Sequence, residues 1–362
     1  MSMQRLDALR KAMQKENLPA ILVTSRENRY YLSGFSGSSG TLLVTADLAI
    51  LVAGFIYQEQ AAAQAVGWQI VPTSAQATQN ATLAEIIAAH GITKLGFEHI
   101  HTTVAQMDAF QEAFATLEQE VSLVPYKNII ETLRQVKDAD ELAIMSKAAM
   151  ISDQAYLQAL SFIRAGVSER DVAIEIDFTM KKLGAEGSAF ETIVVSGKRS
   201  SMPHGKPTDK LLQPGDFVTM DFGAKYKGYC SDITRTVVIG KPSDEQRKVY
   251  QTVLQAHMRA LNAAAPGIKG KELDAIARNT IVDAGYGRFF GHGLGHGVGL
   301  QVHEQPGAGQ TSESEFVEGN VVTIEPGIYI PNWGGVRIED SVLITADGRR
   351  SLHNTTKELI SL

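Results

Sequence analysis

Apolar positions along the chain fall into two patterns. Up to about residue 125, helical and strand periods alternate. Leu6, Leu9 and Met13 recur at helical spacing, and Ala20–Val23 is an unbroken apolar run of strand length. A short helical segment at 28–32 leads into the glycine-rich run GFSGSSG (34–40). Segments 41–45 and 48–53 predict a hairpin turning at Ala46-Asp47. Helices at 57–66, 81–89 and 103–116 then alternate with strands at 68–71, 95–98 and 121–124. The alternation describes an α/β domain over residues 1–125. GFSGSSG lacks the spacing and lysine of a phosphate loop and reads as a surface loop.

Residues 126–137 read as a linker, and a second pattern fills residues 138–362. Asp138 caps a long helix reaching about Phe162, with Glu141 completing a capping box. Ser168 starts a second helix that stops near Gly184. An acid-bearing hairpin follows. The same order then recurs: Ser243 opens a helix running to Pro266-Gly267, Lys271–Ala284 forms another, and glycine-rich strands lead to a second acid-bearing hairpin. Two helices and a hairpin, twice over, suggest two related halves facing each other.

Those hairpins carry the chemistry. Phe217, Val218 and Met220 are strand formers ending in Asp221. A reversal centred on Tyr226-Lys227, bracketed by Gly223 and Gly228, sets Asp221 directly opposite Asp232. Opposed residues have Cβ atoms roughly 4.5–5.5 Å apart. Two carboxylates at that distance repel, and a bound cation reverses the sign. A solvated hairpin with two surface acids is the alternative. In the second hairpin Glu325 closes the run VVTIE and Glu339 sits in VRIED. A turn centred on Asn332 makes these two cross-strand partners. Between the hairpins, GHGLGHGVGLQVHE holds His292, His296 and His303, and a further histidine, His204, precedes the first hairpin in MPHGKP. Four acids with apolar flanks beside clustered histidines repel one another without metal. Oxygen-rich ligands with one imidazole suit Mn²⁺, Co²⁺, Fe²⁺ or Zn²⁺ better than a thiolate-type zinc site. Four carboxylates exceed the needs of one ion and fit two, roughly 3.5–4 Å apart.

Composition narrows the partners. Net charge is −6, from 34 basic and 40 acidic residues with no basic block, which argues against nucleic acid or an anionic membrane as partner. No apolar run approaches the ~20 residues that span a bilayer, and the N-terminal 20 residues read as a charged amphipathic helix without a signal-peptide core. A single cysteine, Cys230, excludes an internal disulfide and fits a reducing cytoplasm. Its place two residues before Asp232 reads as strand filler rather than as a catalytic thiol.

The runs MDFGAKYKGYCSDITRT, GHGLGHGVGLQVHE, TIEPGIYI and GGVRIEDSVLIT resemble the metallopeptidases of the pita-bread fold, in particular their Xaa-Pro branch, aminopeptidase P and prolidase. The resemblance spans roughly Asp138 to the C-terminus, and a smaller N-terminal domain is also typical of the branch. It implies an α/β N-terminal domain with a mixed sheet and flanking helices. The α+β pita-bread domain would have a curved antiparallel sheet covered by helices. The implied metal ligands are Asp221, Asp232, His296, Glu325 and Glu339, with Asp232 and Glu339 bridging two divalent ions, manganese foremost and cobalt, zinc or iron as alternatives. The implied catalytic residues are His204, His303 and Glu325. Phe190, Ile193 and His292 would shape the substrate pocket, with Arg337 supporting the metal acids from behind. The implied reaction is hydrolysis of the N-terminal bond of short peptides with proline second, by metal-activated hydroxide, in a homodimer. The alternatives are a methionine-aminopeptidase-like enzyme, which usually lacks such an N-terminal domain, and a metal-free peptide-binding pseudoenzyme, which would have lost ligands. One departure stands out. Many prolidases carry an arginine four residues after the histidine matching His303, where this chain has Gly307. That favours an aminopeptidase able to cleave dipeptides as well, unless another cation such as Lys206 substitutes.

Overall fold

The computed structural model describes residues 2–74 and 77–362, which divide into two compact units, one ending at Arg134 and the other Gln135–Leu362.

In the first unit, β1 (Ala20–Val23), β2 (Thr41–Thr45), β3 (Ala49–Gly54), β4 (Gln69–Thr73), β5 (Lys94–Glu98) and β6 (Ser122–Tyr126) form one sheet in the order β4-β3-β2-β1-β5-β6. Pairs β1–β2 and β2–β3 are antiparallel and the other three parallel, so the sheet is mixed as expected. The β2–β3 pair is antiparallel because so short a connection cannot cross over. Sheet residues Leu22, Leu43 and Val52 bury against Leu83, Ile87, Phe110 and Phe114 of the flanking helices. The predicted N-terminal helix runs Ser2–Lys15, Met1 lying outside the described residues, and its stripe Leu6, Leu9 and Met13 is buried. The stretch read as a linker contains the helix Ile129–Gln135. Arg134 of that helix donates to Asn28 Oδ1 at 2.7 Å, which ties it into the first unit.

The second unit opens with helices Ala139–Phe162 and Glu169–Lys182, and repeats the arrangement with Asp244–Ala263 and Gly270–Asp283. Asp138, Ser168 and Ser243 each close a capping box, with Glu141, Asp171 and Gln246 as partners. The first helix pair buries Ile151, Tyr156, Ile176 and Met180 against Val194, Val218, Met220 and Ile233. The second buries Val249, Val253, Leu273 and Ile281 against Val322, Ile324, Ile338 and Val342. Each half thus has its own helix-on-sheet core, and every strand pair in the named sheets of this unit is antiparallel. The halves meet where Thr234 bridges Glu339 and accepts its N–H at 3.1 Å. The two-part α/β and α+β architecture is the one expected. Among the described residues no helix is long and apolar enough to cross a membrane.

Candidate metal centre and active site

Two hairpins and one glycine-rich loop build the site. In the first hairpin, Tyr226 pairs with Tyr229 around a turn at Lys227-Gly228, and Asp221 pairs with Thr234. The turn is therefore one residue later than the sequence suggested. Asp221 and Asp232 are not directly opposed but offset by two, which keeps both side chains on one face. A two-residue hairpin of this hand needs positive φ at both central positions. Gly228 supplies one freely at 78°, while Lys227 adopts 46° in its company. In the second hairpin Ile330 pairs with Gly334 around Asn332 (φ 61°). Ile324 pairs with Asp340 further along, and the same register faces Glu325 with Glu339, as expected.

The loop brings His296 to these acids. Gly295 allows it, because a Cβ there would stand 2.0 Å from the Thr323 carbonyl oxygen. The His296 backbone N–H donates to Thr323 Oγ1 (3.0 Å), and its Nδ1–H donates to the Gly297 carbonyl (3.0 Å). The tautomer is thereby fixed, leaving Nε2 to face Glu325 Oε1 at 3.4 Å and Asp232 Oδ2 at 3.6 Å. One ligand atom each from Asp232, His296 and Glu339 lies within 4.8 Å of the others.

All eleven residues singled out from the sequence line a single cavity of about 510 Å³: Asp221, Asp232, His296, Glu325, Glu339, His204, His303, His292, Arg337, Phe190 and Ile193. Glu325 also accepts from Thr323 Oγ1 at 3.2 Å. His303 packs its ring edge-on to His296, centroids 4.3 Å apart, and burial lowers its pKa, with His296 adding to the effect. His292 is likewise lowered by burial. Its Nδ1–H donates to the Gly293 carbonyl at 2.8 Å, and its Nε2 accepts from the Tyr329 hydroxyl at 2.9 Å.

Arg337 is 3% exposed and spends its donors on the protein. Nη2 donates to Asp221 Oδ2, Nη1 to the Tyr329 hydroxyl (2.9 Å) and the Pro203 carbonyl (3.2 Å), and Nε to Thr234 Oγ1 (3.0 Å). Thr234 in turn donates to Glu339 Oε2 at 2.6 Å. One arginine therefore ties Asp221 to Glu339 through a threonine. Thr234 and Tyr329 escaped the sequence reading. Moving the first turn by one residue would have set Thr234 opposite Asp221 and drawn attention to it.

The electrostatics test whether these residues fit a cation. Burial pushes the Asp232 and Glu339 carboxyls well above the ordinary range, and neighbouring acids push them further. Asp221 is also raised by burial, against the pull of Arg337. Its Oδ1 is buried without a hydrogen-bond partner. A buried carboxylate oxygen left unpaired is costly. Oxygen donors of this kind, beside an imidazole with Nε2 turned inward, fit divalent cations.

Comparisons with known proteins give the family. The model of metallopeptidase family M24 matches residues 143–346, and that of the creatinase/prolidase N-terminal domain matches residues 5–136. A curated Xaa-Pro dipeptidase of Pyrococcus horikoshii is 41% identical over 96% of this chain and 96% of its own. The solved structure of an Xaa-Pro dipeptidase from Bacillus anthracis is 43% identical, with a TM-score of 0.96 over the whole of both chains. That of an X-Pro aminopeptidase from Thermotoga maritima is 35% identical, with a TM-score of 0.91 over 97% of this chain and all of the other.

Proposed function

The chain belongs to the Xaa-Pro peptidase branch of metallopeptidase family M24, and from that membership we propose that it hydrolyses the N-terminal bond of short peptides with proline in second position, using two divalent cations. The observation that carries the proposal is the turning of His296 Nε2 toward buried acids on the wall of one cavity.

Asp221, Asp232, His296, Glu325 and Glu339 would hold the cations, with Asp232 and Glu339 serving both, and manganese is the metal we favour. Bound there, the cations supply Lewis acidity for the scissile carbonyl and make water a nucleophile near neutral pH. Glu325 takes the proton of that water and passes it to the leaving nitrogen. His303, whose pKa burial lowers, donates an N–H to the developing oxyanion, with His204 as the second donor in this reading. Phe190 and Ile193 give the proline ring an apolar wall. His292 shapes the leaving-group end, held in place by Tyr329. Arg337 holds Asp221 and, through Thr234, Glu339. A homodimer in a reducing cytoplasm completes the reading, resting on the family resemblance and on the single buried Cys230.

The test is metal analysis together with hydrolysis of an Xaa-Pro peptide. Manganese-loaded protein cleaves it and chelator-treated protein does not. Equal rates without metal overturn the proposal. Replacing His303 by alanine lowers kcat by about 10²–10³, the usual loss for one oxyanion donor. Elemental analysis of the same variant finds its metal retained, which separates this role from support of the neighbouring His296. An unchanged kcat would make His303 structural.

A further inference from the structure

We propose that Lys206 receives the C-terminal carboxylate of a short substrate, and that Glu191 competes with that carboxylate for it. The two residues at the cavity wall would thereby set the preference for dipeptides over longer chains. The inference rests on the peptidase reading above and assigns the residues that choose substrate length.

Among the described residues, two cationic side chains other than histidine line the cavity, Arg337 and Lys206. Arg337 is buried and committed to Asp221, Thr234, Tyr329 and Pro203. Lys206 differs in each respect. Its side chain is 74% exposed, and its ammonium lies 2.8 Å from Glu191 Oε2, itself 66% exposed. Such exposed pairs contribute little to stability, so their partners exchange at small cost. Lysine also carries its charge on a flexible stem that can follow a ligand.

Position favours the exchange. Glu191 follows Phe190, and Lys206 lies two residues beyond His204. The ion pair therefore joins the two chain segments that carry the proposed apolar wall and one of the proposed catalytic histidines. The other acids of the cavity, Asp221, Asp232, Glu325 and Glu339, belong to the proposed metal centre. With cations holding those four acids, the exposed ammonium of Lys206 attracts the carboxylate of an entering peptide and leaves its amino end to face the proposed metal centre. In a dipeptide the carboxylate sits on the residue just after the scissile bond. A longer peptide presents a neutral amide there and carries its charge further out, and Lys206 then stays with Glu191.

The experiment uses the manganese-loaded full chain and two substrates, Ala-Pro and its C-terminal amide, and reads the ratio of their kcat/KM values. In Lys206→Met the ratio of acid to amide falls about tenfold, the worth of one charge-assisted hydrogen bond in a partly wet setting. In Glu191→Gln it rises severalfold, because the ammonium loses its competitor and the substrate loses a like charge. Both changes fall on KM rather than kcat. A ratio unchanged in both variants overturns the inference and leaves the peptidase reading intact. Failure of the metal-loaded parent protein to cleave either substrate overturns the reading itself.

Discussion

Replacing Asp232 by asparagine abolishes peptide hydrolysis while the protein stays folded. Asparagine keeps the size of the side chain, which sits buried at the break between strands Tyr229–Cys230 and Ile233–Val238. What it removes is a charge that belongs to the proposed metal centre, with Oδ2 3.6 Å from His296 Nε2. A metal Lewis acid supplies several kcal/mol of transition-state stabilisation. Losing about 5 kcal/mol lowers the rate by roughly 10³–10⁴. The stability readout distinguishes this from simple unfolding. Without metal, Asp232 is repelled by Glu339, Asp221 and Glu325, so neutralising it relieves the site. The chelated variant therefore melts no lower than the chelated parent. Added manganese raises the parent's midpoint by mass action and raises the variant's far less. Full kcat with two ions bound to the variant would show that Asp232 holds neither.

The site was more legible than the framework that holds it. The acids stand out because each ends an apolar strand run, and their faces follow from the period of two. Register is harder to read, because the pattern fixes a face and not a partner. At Asn332 one turn centre satisfied the pattern, and Glu325 and Glu339 came out in register. At the first hairpin the centre at Tyr226-Lys227 falls one residue short, because the period of two does not fix a turn and nothing local announces that a lysine will take positive φ. The helix Ile129–Gln135 was missed for a different reason. It spans barely two turns, and what holds it is a contact from Arg134 to Asn28, over a hundred residues away in sequence. Contacts of such range leave no local pattern. The same holds for the charges behind the metal acids. Arg235, His257 and Asp340 each look like an ordinary position of a strand or helix, and only the assembled sheet brings them together.

That cluster carries the second large effect: Asp340→Asn costs the Gln135–Leu362 unit about 3–5 kcal/mol. Asp340 and Arg235 have side chains 0% and 1% exposed and meet at 2.8 Å. The remaining contacts of Asp340 are Lys357 Nζ at 2.7 Å, the Ser351 hydroxyl at 3.0 Å and His257 Nε2 at 3.6 Å. Burial alone would raise the Asp340 carboxyl, but Arg235, His257 and Lys357 together hold it well below the usual range. Asparagine keeps the shape and deletes the charge. Lys357, 18% exposed, has a route toward water, whereas the Arg235 guanidinium is left charged in the interior. Breaking a buried pair from one side typically costs about 3–5 kcal/mol. For a unit of this size that lowers the melting midpoint by roughly 6–20 °C. The damage reaches the site through the backbone. Arg235 Nη1 donates to the Glu339 carbonyl at 2.6 Å, and His257 Nδ1–H donates to the Ile324 carbonyl, next to Glu325, at 3.0 Å. Both acids thus lose part of their anchorage, and the variant binds manganese more weakly than the parent. Arg235→Met combined with Asp340→Leu recovers part of the lost stability, because the guanidinium no longer stands charged in the interior and Lys357 turns to water, while the carbonyls that Arg235 served stay without its N–H groups. A single Asp340→Asn variant that melts within about 2 °C of the parent would mean that water or Lys357 already compensates Arg235, and the cluster would then have no part in holding the metal acids.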